Sequence, residues 1–268
     1  MNAQEATATT TTLSRLEFDV IWEHLGLGPF PTVYRLLGHG QTYDERAHLV
    51  RQAWDALQAR GVGGPMSLDQ DLVHLLRIIA RPAREVDARI NCRGTVVRAL
   101  AGSVGDDAAI GVLWSDGFRF APVTPGGLSR AVVALLPDHP AGRGHSVSLS
   151  NRSFSSACEA SGDTARGLRA ALTERGMRAA DAEQLSDALD GVSGAGQFGV
   201  ALLDRWGKRQ RAGHVVAFVD SSTGRYLLES RPTLGGAERW TTIAPTDPVR
   251  LAGQIDRLRV ELERAFEA

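Results

Sequence analysis

The chain reads as a mixed α+β protein with a central antiparallel sheet. Three observations lead there. Apolar residues recur at helical spacing in two separate blocks. Each block is followed by a run of β-branched segments broken by turn residues, the pattern of an antiparallel meander. Each run then closes on a strand, a proline and a Thr-marked helix start: FRFAPV-TPGGLSRAVVALL in the first half, RWTTIAP-TDPVRLAGQIDRL in the second.

In order, residues 1–11 are a Thr/Ala-rich stretch expected to be disordered. Leu13–Glu17 alternate briefly and lead into FDVIWEHLGLG, where Phe18, Ile21, Trp22 and Leu25 repeat at helical spacing and Gly26 is placed to stop the helix. A loop broken by Pro and Gly follows. Thr42 is an N-cap with Glu45 three residues on, a capping box, and the helix it opens carries Ala47, Val50, Trp54 and Leu57 to about Arg60. A further helix, expected to be capped by Ser67, carries Leu72, Leu75, Leu76 and Ile79 and ends before Pro82. REVDARINC, GTVVRALAG, AAIGVLWS and FRFAPV are strands, with Asp116-Gly117 a hairpin turn between the last two. Thr124-Pro125 read as N-cap and N1 of a helix to Leu136. Residues 137–145, PDHPAGRGH, are a linker by composition.

The second half repeats the order. HSVSLS is a strand, SFSSACEA a short helix, and two helices end at Gly176 and Gly191. QFGVALLD, HVVAFVD, GRYLLES and WTTIAP are strands, and Thr246-Asp247-Pro248 opens a long amphipathic helix. The expectation is one domain over 12–268 built of two quasi-repeats, 12–138 and 145–268. It is a pseudo-twofold duplicated unit whose central antiparallel sheet has helices on one face and helical bundles at the ends.

Composition narrows the function. Of 268 residues 43% are hydrophobic, the proportion of an ordinary globular protein. Lys plus Arg number 30 and Asp plus Glu 31, so no global basic field favours nucleic acid. The two cysteines, Cys92 and Cys158, lack C-x-x-C spacing and read as free thiols. No apolar run approaches the ~20 residues of a membrane span, and the first residues lack the pattern of a signal peptide, so a cytoplasmic protein without membrane insertion is expected. The seven histidines show no metal-ligand spacing, and no nucleophile has a base near it. Neither a metal nor a catalytic centre is expected.

GAGQFG, residues 194–199, matches G-x-G-x-x-G, the fingerprint of a dinucleotide turn. In that turn a strand precedes the glycines and a helix follows, aiming its free N–H groups at the pyrophosphate. Here a helix precedes and QFGVALLD, a strand pattern, follows. Gly191, Gly194 and Gly196 then form a turn from helix to strand, and no cofactor is expected. A small-molecule or NAD-binding enzyme using this loop is the alternative. LLDRWGKRQRAGHVV reads as a hairpin whose tip holds Arg205, Trp206, Lys208 and Arg209, a basic end with one aromatic.

GAGQFGVALLDRWGKRQRAGHVVAFVDSSTGRYLLES resembles the C-terminal half of the EspG family, the ESX secretion-associated proteins of mycobacteria and related actinobacteria. LEFDVIWEHLGLGPFP, ERAHLVRQAWDALQARG and LLRIIARPAREVDAR resemble its N-terminal half, so the likeness runs from residue 13 through nearly the whole chain. The resemblance implies a cytosolic chaperone of type VII secretion, without catalysis or cofactor. It would bind PE–PPE heterodimers at the apolar tip of the PPE helical bundle, keep them soluble and direct them to their secretion system. A weak homodimer stays open. Strand alternation places Phe198, Val200 and Leu202 toward the helices and Gln197, Ala201 and Leu203 on the open face, with Arg225, Leu227 and Glu229 from GRYLLES beside them. Trp206 and Arg205 at the hairpin tip, and Ser103 and Val104 in the loop AGSVGDDA (101–108), expected to be mobile, complete the candidate partner-binding set.

Overall fold

The computed structural model describes residues 11–162, 164–232 and 238–267. Of the expected tail, residues 1–10 lie outside the described residues, and Thr11 already opens a strand. The chain forms two compact units. One comprises the described residues up to Ala88 with Val96–Val132 and Leu202–Arg209; the other comprises Arg89–Thr95, Val133–Ala201 and the described residues from Gln210 on.

The first unit is built from β1 (Thr11–Leu13), α1 (Arg15–His24), α2 (Tyr43–Ala59), α3 (Gln70–Ala80), the start of β2 (Arg84–Cys92), β3 (Thr95–Val104), β4 (Asp107–Trp114), β5 (Gly117–Pro122) and α4 (Leu128–Val133). Its strands lie in the order β1-β5-β4-β3-β2. Helix α1 begins earlier than its apolar pattern indicates because Ser14 and Glu17 form a capping box: Glu17 N–H donates to Ser14 Oγ at 3.2 Å and Ser14 N–H to Glu17 Oε2 at 2.7 Å. Thr42 caps α2 as expected, its Oγ1 accepting from Glu45 N–H at 3.2 Å. The Glu45 carboxylate reaches Gln41 N–H instead of the cap residue, so only half of the box forms. Asp69 replaces Ser67 as the cap of α3, accepting from Leu72 N–H at 2.9 Å. Thr124 makes no side-chain cap, and Pro125–Gly127 form a 3-10 turn before α4, which ends at Val133 rather than Leu136.

Register decides which strand residues meet α1–α3. Leu13 and Leu113 both pair with Phe118, and Phe120 and Leu100 both pair with Gly111, so these side chains share one face. Phe18 of α1 stacks on Phe118 at 4.0 Å, with Tyr34 edge-on to Phe118 at 5.0 Å. Gly111 has no room for a side chain: an added Cβ would sit 2.7 Å from the Phe120 ring and 2.6 Å from the Tyr34 hydroxyl, which donates to Gly111 C=O at 2.9 Å. Burial pushes the Tyr34 phenol well above its ordinary range, with Glu85 adding to the shift.

The second unit holds β6 (Val147–Ser150), α5 (Asn151–Ala160), α6 (Ala165–Glu174), α7 (Ala179–Ala188), most of β7 (Gly194–Leu203), β8 (Arg209–Arg211), β9 (Val216–Ser221), β10 (Gly224–Pro232), β11 (Arg239–Pro245) and α8 (Pro248–Glu267). Its main strands run β7-β9-β10-β11-β6, paired antiparallel. Helices cover both faces here, not one. Tyr226, Ile243, Val147 and Leu149 pack with Leu172 and Leu185 of α6 and α7. On the opposite face Gln254 of α8 donates to both carboxylate oxygens of Glu229, at 3.0 and 2.8 Å. The 137–145 stretch is no free linker. Arg225 N–H donates to Pro140 C=O at 2.8 Å, Gly142 N–H to Arg225 C=O at 2.9 Å, and Arg143 N–H to the Tyr226 hydroxyl at 3.1 Å.

Candidate partner-binding surface

Residues 204–208 form the tip between β7 and β8, and one side chain shapes it. Asp204 Oδ1 accepts from both Trp206 N–H and Lys208 N–H at 2.9 Å. Asp204 N–H donates to Lys208 C=O and Gly207 N–H to Asp204 C=O, both at 2.9 Å. Gly207 has φ +73°, a conformation glycine adopts without strain. The result is a closed turn that leaves Trp206 75% exposed with the Arg205 guanidinium 4.0 Å from its ring centroid. A cleft of about 330 Å³ lies beside the tip, lined by Phe30, Pro31, Ile79, Pro82, Leu100 and Leu203 together with Gly207 and Arg209. Arg209 Nε donates to Glu85 Oε1 at 3.0 Å within that lining.

The candidate residues do not all share a surface. Leu203 is half-buried in the cleft wall, and Trp206 and Arg205 are exposed at the tip. Val104 is 44% exposed but Ser103 only 1%. AGSVGDDA is not a mobile loop: Ala101–Val104 belong to β3 and Asp107 opens β4, leaving the two-residue turn Gly105-Asp106. Ser103 pairs with Ala108 in that hairpin and is buried with it, on the face opposite Leu100.

In the second unit Gln197 pairs with Ala217, and Ala217 with Leu228, on the α5–α7 face. Phe198 pairs with Val216, and Val216 with Glu229, on the α8 face. Gln197 therefore points away from Arg225, Leu227 and Glu229, against expectation, and Phe198 shares their side. Alternation fixes parity within a strand, but parity between strands depends on register, which the sequence does not display. Ala201 and Arg225 are each 1% exposed. Arg225 Nε donates to Asp220 Oδ1 at 2.6 Å and Nη2 to Oδ2 at 2.8 Å, with a further bond from Nη2 to Pro137 C=O at 2.9 Å. Arg225 holds the unit together and presents nothing to a partner. Glu229 is half-buried. Burial raises its carboxyl, but His214, with Nε2 3.5 Å from Oε1, and hydrogen bonds from Arg231 and Gln254 outweigh that and hold it down to about 2.

GAGQFG lies inside β7. Gly194 pairs with Asp220 and Gly196 with Phe218, so its backbone serves a strand ladder. A Cβ on Gly196 would stand 2.6 Å from Arg89 C=O and 2.7 Å from the Phe218 ring. These glycines allow close strand approach. Gly191 alone is the left-handed turn residue, at φ +59°. Cys92, whose Sγ crowds Gly194, is buried, and burial with the nearby Asp220 pushes its thiol up. Among the described residues no His/Cys/Asp/Glu group is arranged to hold a metal ion, and no helix is long and apolar enough to cross a membrane.

The EspG family model matches residues 14–257, nearly all of the elements above. The chain belongs to the EspG family. The fold agrees: this EspG protein is similar, at 15% identity and a TM-score of 0.74, to the Mycobacterium tuberculosis type VII secretion system chaperone EspG5, solved in complex with a PE25-PPE41 dimer. The likeness covers 95% of this chain and 97% of that one. No curated protein matches the chain.

The sequence missed the cleft of this EspG protein because its walls come from four segments distant in sequence, around residues 30, 80, 100 and 204. Asp204 had a readable signal. D-x-W-G before a basic strand is an Asx turn in the making.

Proposed function

We infer that this protein is a cytoplasmic chaperone of type VII secretion that binds a PE–PPE heterodimer, keeps it soluble and directs it to its secretion system, without catalysis or cofactor. One observation carries the reading: the family match spans 14–257, and the fold follows a chaperone solved with a PE–PPE dimer over 95% of the chain. The physical logic is that of any carrier for aggregation-prone cargo. An apolar patch of several hundred Å² is a hazard when free, and a preformed surface with polar anchors masks it. Among the candidate residues, Trp206, Arg205, Leu203, Gln197 and Val104 keep surface to offer a partner. Ser103, Ala201 and Arg225 serve the core. Leu227 and Glu229, on the α8 face, act by holding the second unit in shape.

Residues 12–138 and 145–268 are read as two quasi-repeats. Each runs strand, three helices, four long strands and a helix, with β8 as the one insertion. The alternative of an NAD-dependent enzyme has no observation in its favour, since the GAGQFG backbone is spent in the ladder.

Co-expression tests the function. The tagged chain should co-purify with a PE–PPE pair from the same genome and reduce its loss to inclusion bodies. Recovery of every pair in a separate peak, equally insoluble with and without the chain, refutes the assignment.

A further inference from the structure

The β7–β8 tip gathers exposed positive charge around one exposed tryptophan. The chain as a whole is balanced, with a formal net charge of -1. Several arginines elsewhere are matched: Arg46 to Asp19, Arg60 to Glu17, Arg225 to Asp220, Arg259 to Glu263. At the tip the acids are already engaged. Asp204 is held by two N–H groups of its own turn, and Glu85 by Arg209. Arg205, Lys208 and Arg81 form no ion pair among the described residues, and all three are exposed. The Arg81 guanidinium lies 3.6 Å from where a side chain on Gly207 would begin, so the three cations belong to one neighbourhood. In their midst stands Trp206, 75% exposed in a turn whose backbone is fixed before anything binds.

An exposed tryptophan on a rigid turn is a ready anchor, since little side-chain or loop entropy remains to be lost on docking. Unmatched cations around it select a partner by sign. From this juxtaposition we propose that the 204–208 tip is a specificity element that docks an acidic protein surface with an apolar notch, Trp206 filling the notch and Arg205, Lys208 and Arg81 meeting carboxylates at its rim. The inference rests on the chaperone reading and deepens it: the acidic surface belongs to the PE–PPE cargo, and the tip is where one cargo is told from another. The adjacent cleft gives the docked segment an apolar floor to continue into.

The test is a titration of a cognate PE–PPE heterodimer against wild type, Trp206→Ala and the double variant Arg205→Glu/Lys208→Glu, at low and high salt. All substituted side chains are solvent-exposed, so the variants should keep the wild-type thermal midpoint, which is measured alongside. Trp206→Ala is expected to weaken binding about 30-fold, the loss typical of a tryptophan anchor. The charge reversal should weaken it by about tenfold or more at low salt, the gap narrowing as salt rises. Wild-type binding that both variants retain within about twofold overturns the tip assignment and leaves the chaperone reading standing. No binding by wild type overturns the chaperone reading and the tip assignment with it. Losses seen only against a single-stranded oligonucleotide or anionic vesicles, with PE–PPE binding untouched, also overturn the proposal.

Discussion

Arg225 and Asp220 face each other across the β9–β10 hairpin in a two-pronged ion pair, 2.6 and 2.8 Å long, with both side chains almost fully buried. The Arg225 guanidinium also lies 5.3 Å from the Phe218 ring centroid and bonds Pro137 C=O, tying the 137–145 segment to the strands. Removing one member leaves a buried charge with no counter-charge. Arg225→Ala is expected to cost about 3–5 kcal/mol in urea unfolding, with PE–PPE affinity unchanged in whatever fraction stays folded. Asp220→Leu combined with Arg225→Met should cost clearly less than either single change. Equal or larger loss in the double variant contradicts a pair whose partners matter chiefly to one another.

Glu229 makes stability depend on pH. Its folded-state carboxyl is held down to about 2 against an ordinary 4.5, so the unfolded chain takes up the proton more readily. The contribution is complete above pH 4.5 and is lost as pH falls from there toward 2. Glu229→Gln should lower stability at neutral pH and flatten the fall in acid, read from denaturant midpoints between about pH 6 and about pH 3. Parallel acid profiles for wild type and variant contradict the assignment of Gln254, Arg231 and His214 as its stabilising partners.

Gly196 separates the strand account of GAGQFG from the cofactor alternative. A Cβ there meets Arg89 C=O and the Phe218 ring at 2.6 and 2.7 Å, so Gly196→Ala is expected to destabilise by about 1–3 kcal/mol. NADH titrated into wild type should give no saturable signal in the micromolar range. Saturable binding that Gly196→Ala abolishes without loss of stability reverses this conclusion.

Asp204 sets the tip. Asp204→Ala removes an acceptor shared by two backbone N–H groups and should cost about 1 kcal/mol while speeding amide exchange at Trp206 and Lys208. Asp204→Asn, which keeps an acceptor, should restore much of the protection. Unchanged exchange in the alanine variant shows that the turn holds without its side chain.

Local signals carried the fold well. Helical spacing at Phe18, Trp54 and Leu76 and the cap at Thr42 mark elements where they stand, and the β4–β5 hairpin turns at Ser115-Asp116, one residue before the expected pair, since Gly117 already pairs with Trp114. The misplaced cap of α3 shows the limit of such signals: Ser67 and Asp69 both suit the position, and Ser67 is taken up by Gly64 N–H. Long-range facts were not legible. Gln197 and Leu227 fall on opposite faces because of the register Gln197↔Ala217 and Leu227↔Phe218, which no local pattern reveals. Arg225 reads as a surface charge in GRYLLES until Asp220 is seen opposite it. The tip, being local, was legible as a basic end with one aromatic, but the cleft beside it needed the fold.

The most direct test of the account is size-exclusion chromatography of the purified chain mixed with a cognate PE–PPE heterodimer, with mass measured across the peak. One earlier-eluting species containing all three chains is expected, diminished by Trp206→Ala. Elution of the chain apart from the heterodimer, at concentrations well above micromolar and for every pair the genome encodes, contradicts it.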